Sequence, residues 1–252
     1  MMSRGMRNIY QQKPIRRYDG VILQTRKRGQ ELILSVFTKQ EGLVRVFVSK
    51  RCRGKQGFGA LLAFSHITFD AVLASSMLIL REYECTSNPG MQQLTWERYI
   101  YSQVFTEIVQ HMFPNQEADA QAYELIIIYS QAIWHKNPRI VTIIAGWQLL
   151  ALAGFYPDVS RVHIFAAGID GNRHIYYLSD GDELFKEPLP EVAVPSSIRS
   201  LWQTLFTYTW GQAQTLHLSA KGLAFLEDVL YSYTAQCSDK KMKSPKFLDR
   251  HH

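Results

Sequence analysis

The chain has 252 residues and a mass of 29.1 kDa, with 46% hydrophobic and 20% charged residues, which excludes disordered, collagen-like and low-complexity classes. Its net charge of +6 is unevenly spread: residues 1–55 hold 14 Lys/Arg against three acids (Asp19, Glu31, Glu41), whereas residues 56–252 hold 14 against 19. That asymmetry points to a polyanion-binding region joined to something else, and three scattered cysteines (Cys52, Cys85, Cys237) exclude a disulfide scaffold and fit a reducing, cytoplasmic setting.

Residues 1–17 carry Arg4, Arg7, Arg16 and Arg17 without an apolar run, so they read as a basic N-terminal extension and not as a secretory signal. From Tyr18 to Ser87 the pattern is that of short strands. Asp19–Thr25, Glu31–Thr38 and Leu43–Val48 are rich in β-branched and aromatic residues, and Gln40-Glu41-Gly42 supplies the turn of a hairpin. Two more candidates, His66–Ala74 and Met77–Glu84, bring the count to five, which predicts a small closed barrel over residues 18–87.

After Ser87-Asn88-Pro89-Gly90 the hydrophobic period changes from 2 to about 3.6, which opens a helical domain over residues 88–248. Helices are predicted at Thr95–Phe113, Ala118–Trp134, Arg139–Ala153, Ser196–Thr207 and Ser219–Tyr233, with Thr95 and Ser219 as caps. Ile140–Pro157 carries no charge over 18 residues, close to the lower limit of about 17–25 for a membrane span. Gly146, Gln148 and Gly154 interrupt it, so it reads as a buried central helix and no membrane contact is expected. Residues 158–195 read as an irregular insertion with one strand-like piece, His174–Leu178. The fold class is α+β: a barrel, then an all-α domain.

Signatures of catalysis are missing. Gly57-Phe58-Gly59 has Leu62 where a dinucleotide fingerprint needs its third glycine. Gly54-Lys55 is followed by Gln56 and preceded five residues earlier by Ser49, so the phosphate-loop pattern fails. Neither H-e-x-x-H nor G-x-S-x-G occurs, and Asp180-Gly181-Asp182-Glu183 reads as a solvated turn. No enzyme is expected.

Signals for polyanion binding are stronger. Lys50, Arg51, Arg53 and Lys55 place four cations within six residues of a glycine-containing loop, suited to tracking a phosphate backbone. Arg26-Lys27-Arg28 falls in the turn after the first strand, and Arg16-Arg17 precedes that strand. These clusters converge if the strands close into one barrel. On the third strand Arg45 and Phe47 share a face; Phe47 either packs in the core or offers a ring on which a base stacks.

The order of these parts resembles the RecO family of bacterial recombination mediators. Asp19-Gly20-Val21-Ile22-Leu23 looks like its opening strand, and Ser35-Val36-Phe37-Thr38 with Glu41-Gly42-Leu43-Val44 like its second phrase. The basic loop leads into Leu61-Leu62-Ala63-Phe64, with alanine where proline is usual. Leu149–Pro157 is similar to the phrase that closes the family's central helix, and Met242-Lys243-Ser244-Pro245-Lys246-Phe247-Leu248 to its tail. The resemblance covers about Tyr18–Leu248. It implies an oligonucleotide/oligosaccharide-binding (OB) barrel, and binding and annealing of single- and double-stranded DNA. It also implies contact with the C-terminal tail of single-strand binding protein, cooperation with RecR in loading RecA, and a cytoplasmic place at the nucleoid. The family's DNA-binding loop maps onto Lys50, Arg51, Arg53 and Lys55, with Arg45 on the strand leading into it; Arg16, Arg17, Lys27 and Arg28 rest on charge placement alone.

In one respect the sequence departs from that family. Many relatives carry a zinc knuckle soon after the Gly-Tyr-x-Pro phrase, but here its first cysteine pair aligns at or next to Val162 and Phe165, and no cysteine lies between Cys85 and Cys237. His163 and His174 supply too few ligands, so this segment is expected to fold without metal or other cofactor, with Val162, Ile164 and Phe165 packing apolar surface. The alternative reading of the whole chain is an OB-fold RNA-binding or assembly factor, which barrel and basic loop would serve equally well.

Overall fold

The computed structural model describes residues 14–49, 52, 61–87, 94–181, 189–212 and 219–248. Lys50, Arg51, Arg53 and Lys55 therefore lie outside the described residues, as do Asn88–Gly90 and Asp182-Glu183.

The first five strands are β1 (Ile15–Arg28), β2 (Glu31–Thr38), β3 (Gly42–Val48), β4 (His66–Ala74) and β5 (Met77–Ser87). They close into a barrel in the order β1-β2-β3-β5-β4, with β3 and β5 parallel and the other pairs antiparallel. Strand alternation sends Ile22, Leu34, Val36, Val44, Val46 and Phe69 into the barrel interior. Tyr18 stacks on Phe69 there, ring centroids 5.2 Å apart.

β1 is longer at both ends than the sequence suggests. It begins at Ile15 because Ile15, Arg16 and Arg17 pair with Val72, Ala71 and Asp70 of β4, so Arg16 and Arg17 belong to the barrel and not to an extension before it. At its other end Arg26, Lys27 and Arg28 pair with Ile33, Leu32 and Glu31. The turn is only Gly29-Gln30. Charged residues have weak strand propensity, but cross-strand pairing overrides it.

Val21, Leu23, Phe37 and Leu43 point outward from the barrel into a second core, shared with the helices. Those are α1 (Trp96–Met112), α2 (Ala120–His135), α3 (Pro138–Leu152), α4 (Ser196–Phe206) and α5 (Ala220–Ser238). Thr95, Asp119, Asn137 and Ser219 cap four of them, each accepting a backbone N–H three residues on. α3 packs against α1, α2, α4 and α5, which explains why it carries no charge after Arg139. Among the described residues no helix is long and apolar enough to cross a membrane.

Among its described residues the insertion is not irregular throughout. β6 (His163–Asp170) and β7 (Arg173–Ser179) form an antiparallel hairpin, of which the sequence reveals only the second half. α5 covers the free edge of β7. Asp228, Ser232 and Gln236 accept the backbone N–H groups of His174, Tyr176 and Leu178 at 3.0–3.1 Å. The fit is geometric: four helical residues rise about 6.0 Å and two strand residues about 6.7 Å, so a polar stripe at i, i+4, i+8 matches alternate strand amides. An edge paired in this way offers no template for aggregation.

Barrel and helices meet at Gly42. Its φ is +62°, and a Cβ there would overlap the Glu117 carbonyl, while Gln116 N donates to Leu43 O at 3.0 Å. Gly29 has φ +63° but open space around it. Gly42→Ala should therefore lower stability by more than about 2 kcal/mol, against about 1 kcal/mol for Gly29→Ala, as read by chemical denaturation. Equal losses would show that the interdomain contact does not depend on this close approach.

Candidate nucleic-acid interface

A cleft of about 700 Å³ opens where the outer face of β1-β2-β3 meets the C-terminal ends of α1 and α5. Three strands supply its floor. Gln24, Ser35 and Arg45 form one cross-strand row, and Arg26, Ile33 and Phe47 the next. Because residues two apart share a face, Gln24 and Arg26 project from β1 to the same side as Arg45 and Phe47 from β3. Arg45 and Arg26 are exposed, and Arg26 Nε donates to Gln24 Oε1 at 3.0 Å.

The helical wall adds Lys240 and His111. Lys240 is brought in by the helix ending: Asp239 adopts a left-handed conformation (φ 52°), and Lys240 N donates to Ala235 O. The tail beyond it is docked on α1, since both Glu107 carboxylate oxygens accept backbone N–H groups, from Lys243 and Ser244, each at 2.8 Å. His111 accepts or donates at Nδ1 with Ser238 Oγ, 3.1 Å away. Burial lowers its pKa, opposed by Glu107 and aided by Lys240 and Lys243, so the imidazole is neutral at neutral pH. Among the described residues no Asp or Glu lines the cleft. Such a cationic, acid-free groove on the strand 2–3 face of an OB-type barrel suits a phosphate backbone.

The other sequence-predicted residues are distributed differently. Phe47 is half-buried and belongs to neither core, so its ring lies on the outer face one row from Arg45. Lys27 stands opposite Leu32, in the row that faces the barrel interior, and is exposed at the rim. Arg28 faces Glu31 across the hairpin. Arg16 pairs with Glu41 at 3.3 Å, and Arg17 lies beside Asp70, Glu82 and Glu84. Ten residues of strand, up to about 33 Å, separate Arg16 from Arg26. The basic clusters therefore do not all converge: Arg26 and Arg45 meet in the cleft, while Arg16 and Arg17 sit at the far end of β1 among acids. Sequence reasoning missed Lys240 and His111, which join the cleft only through tertiary packing.

The hairpin segment does not fit zinc. Val162 and Ile164 are buried in the helical core, and Phe165 is half-buried. His163 pairs with Ser179 and His174 with Ile169, which places the two imidazoles about 17 Å apart along β7. His163 Nδ1 already lies 2.7 Å from a Glu191 carboxylate oxygen, and no group of three His, Cys, Asp or Glu among the described residues could hold a metal ion.

Residues 93–246, more than half of the chain, match the family model described as Recombination protein O C terminal. No curated protein matches the chain. Among solved structures it is similar to asparaginyl-tRNA synthetase from Pyrococcus horikoshii, with a TM-score of 0.28 and 13% identity over 47% of this chain and 31% of that one. The same enzyme complexed with asparaginyl-adenylate gives a TM-score of 0.28 and 14% identity over 47% and 30% of the two chains. The chain spans under a third of the length of either structure.

Proposed function

The chain belongs to the RecO family of recombination and repair mediators, and on that premise we propose that it binds single-stranded DNA in the cleft between barrel and helices and anneals complementary strands. On this reading it is a binding protein without catalytic chemistry. It acts on DNA coated by single-strand binding protein, whose C-terminal tail it contacts, and works with RecR to load RecA.

The observation that carries the reading is a cleft lined by no acid among the described residues, with Arg26, Arg45 and Lys240 around a floor supplied by β1, β2 and β3. Annealing requires that two strands be held by their backbones while their bases stay free to pair. Phosphate contacts do this, since they position a strand without reading its sequence. In the sequence, Lys50, Arg51, Arg53 and Lys55 fall between β3 and β4.

A salt titration of oligonucleotide binding tests the reading. If about five cations each displace a counterion, log K against log salt should fall with a slope near −3.5. Annealing of complementary strands should fall off over the same salt range. An affinity indifferent to salt would overturn the proposal, and a matched RNA strand that displaced the DNA at equal concentration would favour the RNA-binding alternative.

A further inference from the structure

A second, smaller cavity of about 230 Å³ lies next to the cationic cleft, and Gln24 lines both. Its walls are Leu62 and Phe64 after the basic loop, Leu94 and Tyr99 at the start of α1, and Trp134 at the end of α2. Three of the large apolar side chains that stand exposed fall within six residues: Leu94 at 45%, Trp96 at 50% and Tyr99 at 40%. Trp96 and Tyr99 stand side by side, ring centroids 6.0 Å apart and planes inclined by 37°. Trp134 is nine-tenths buried, and its indole Nε1 has no hydrogen-bond acceptor. A buried N–H in that state is costly until an acceptor arrives.

We propose that this corner is a nucleobase-binding platform: a strand whose phosphates lie in the cationic cleft turns a base past Gln24 onto the Trp96–Tyr99 rings, with a base acceptor reaching Trp134. The proposal rests on the DNA-binding reading above and extends it from backbone to bases. Three features select a base as occupant. The cavity is smaller than the roughly 300–1,000 Å³ of sites for larger ligands and suits one flat ring system. Every base has a π-face and carries acceptor atoms, so stacking there is indifferent to sequence, as annealing demands. Like the cleft, the cavity is lined by no acid among the described residues, and the shared wall at Gln24 hydrogen-bonds the phosphate-facing Arg26.

The test compares two ligands of equal length, a thymidine oligomer and an abasic deoxyribose-phosphate chain, on the full-length protein. The Trp96→Ala/Tyr99→Ala variant should bind the oligomer about tenfold more weakly, within the range of stacking by one base, and the abasic chain with unchanged affinity. Trp96→Phe, which keeps a ring, should recover most of the loss. The oligomer should quench the wild-type tryptophan fluorescence and the abasic chain should not. Wild-type protein that bound neither ligand would overturn the DNA reading and the platform with it. Salt-sensitive binding of both ligands with no difference between variants would overturn the platform alone. So would an acidic peptide ending in phenylalanine that bound the wild type and not the double variant.

Discussion

Glu227→Ala should cost about 3–5 kcal/mol of stability, a fall in melting temperature of roughly 6–20 °C for a chain of this size. Glu227 is 1% exposed and lies where α5, α3, α1 and β7 meet. Its carboxylate accepts from Arg139 Nε at 2.8 Å, with Arg139 Nη2 at 2.6 Å, and from the hydroxyls of Tyr231 and Tyr101 at 2.9 and 3.2 Å. Arg173 approaches to 3.7 Å and also bonds Asp228 at 3.0 Å. Burial, followed by the Glu227 charge, pushes both phenols well above their ordinary range, so they remain donors throughout the working pH. Deleting the carboxylate leaves a guanidinium and two buried hydroxyls without their acceptor, and this unpaired residue of charge sets the cost. The pair itself is worth far less, because its attraction is offset by the desolvation of both ions. Glu227→Met combined with Arg139→Met should consequently recover the part of the loss that the guanidinium causes, while the hydroxyls of Tyr101 and Tyr231 stay without an acceptor. A single substitution that cost under 1 kcal/mol, or a double variant no better than the single, would contradict this account.

That network also shows where the sequence stops being legible. The barrel was readable because five segments alternate with period 2 and carry turn residues between them, and the helices because Thr95 and Ser219 cap runs of apolar period 3.6. α5 gives a sharper case. Its apolar face through Leu226 and Leu230 was visible, but its last turn, Thr234–Ser238, was not, because the apolar period stops there and the turn carries Gln236, the end of a polar stripe that runs from Asp228 through Ser232. That stripe has meaning only once β7 lies against it. β6 was invisible for the reciprocal reason. Ala166 and Gly168 have little strand propensity, and pairing with Tyr176 and Ile175 of β7 supplies what they lack, with the register shifting at Ala167 between them.

The same distinction governs the cleft. Arg45 and Phe47 were readable as one face of one strand. Arg26 was visible as part of a basic run but was assigned to a turn, whereas pairing with Ile33 puts it on the strand and in the groove. Lys240 carries no local signal at all. It reaches the cleft because Asp239 turns the chain at the end of α5 and Glu107 holds the tail against α1. Charge counted along a sequence thus overstates convergence at Arg16 and Arg17 and understates it at Lys240.

Reversing the three cleft cations should therefore matter more than reversing any two elsewhere on β1. Arg26→Glu/Arg45→Glu/Lys240→Glu should weaken binding of single-stranded DNA by about 3 kcal/mol or more, over a hundredfold at low salt. Each cation within about 4 Å of a phosphate is worth about 1 kcal/mol in water, and reversal adds repulsion to that loss. The salt slope should become shallower by about 2, since three displaced counterions are lost at about 0.7 each. All three side chains are exposed, so the variant should melt like the wild type. Arg16→Glu/Arg17→Glu changes two thirds as much charge but should alter affinity by less than about threefold. Arg16 is already occupied by Glu41, and Arg17 sits beside Asp70, Glu82 and Glu84, a neighbourhood that repels phosphate. The contrast separates a sited groove from diffuse attraction to a basic surface, because diffuse attraction depends on net charge and would give the double variant about two thirds of the triple variant's loss in binding free energy. A folded triple variant that still bound within threefold of the wild type would remove the cleft from the DNA path and leave the loop of Lys50, Arg51, Arg53 and Lys55 to carry it.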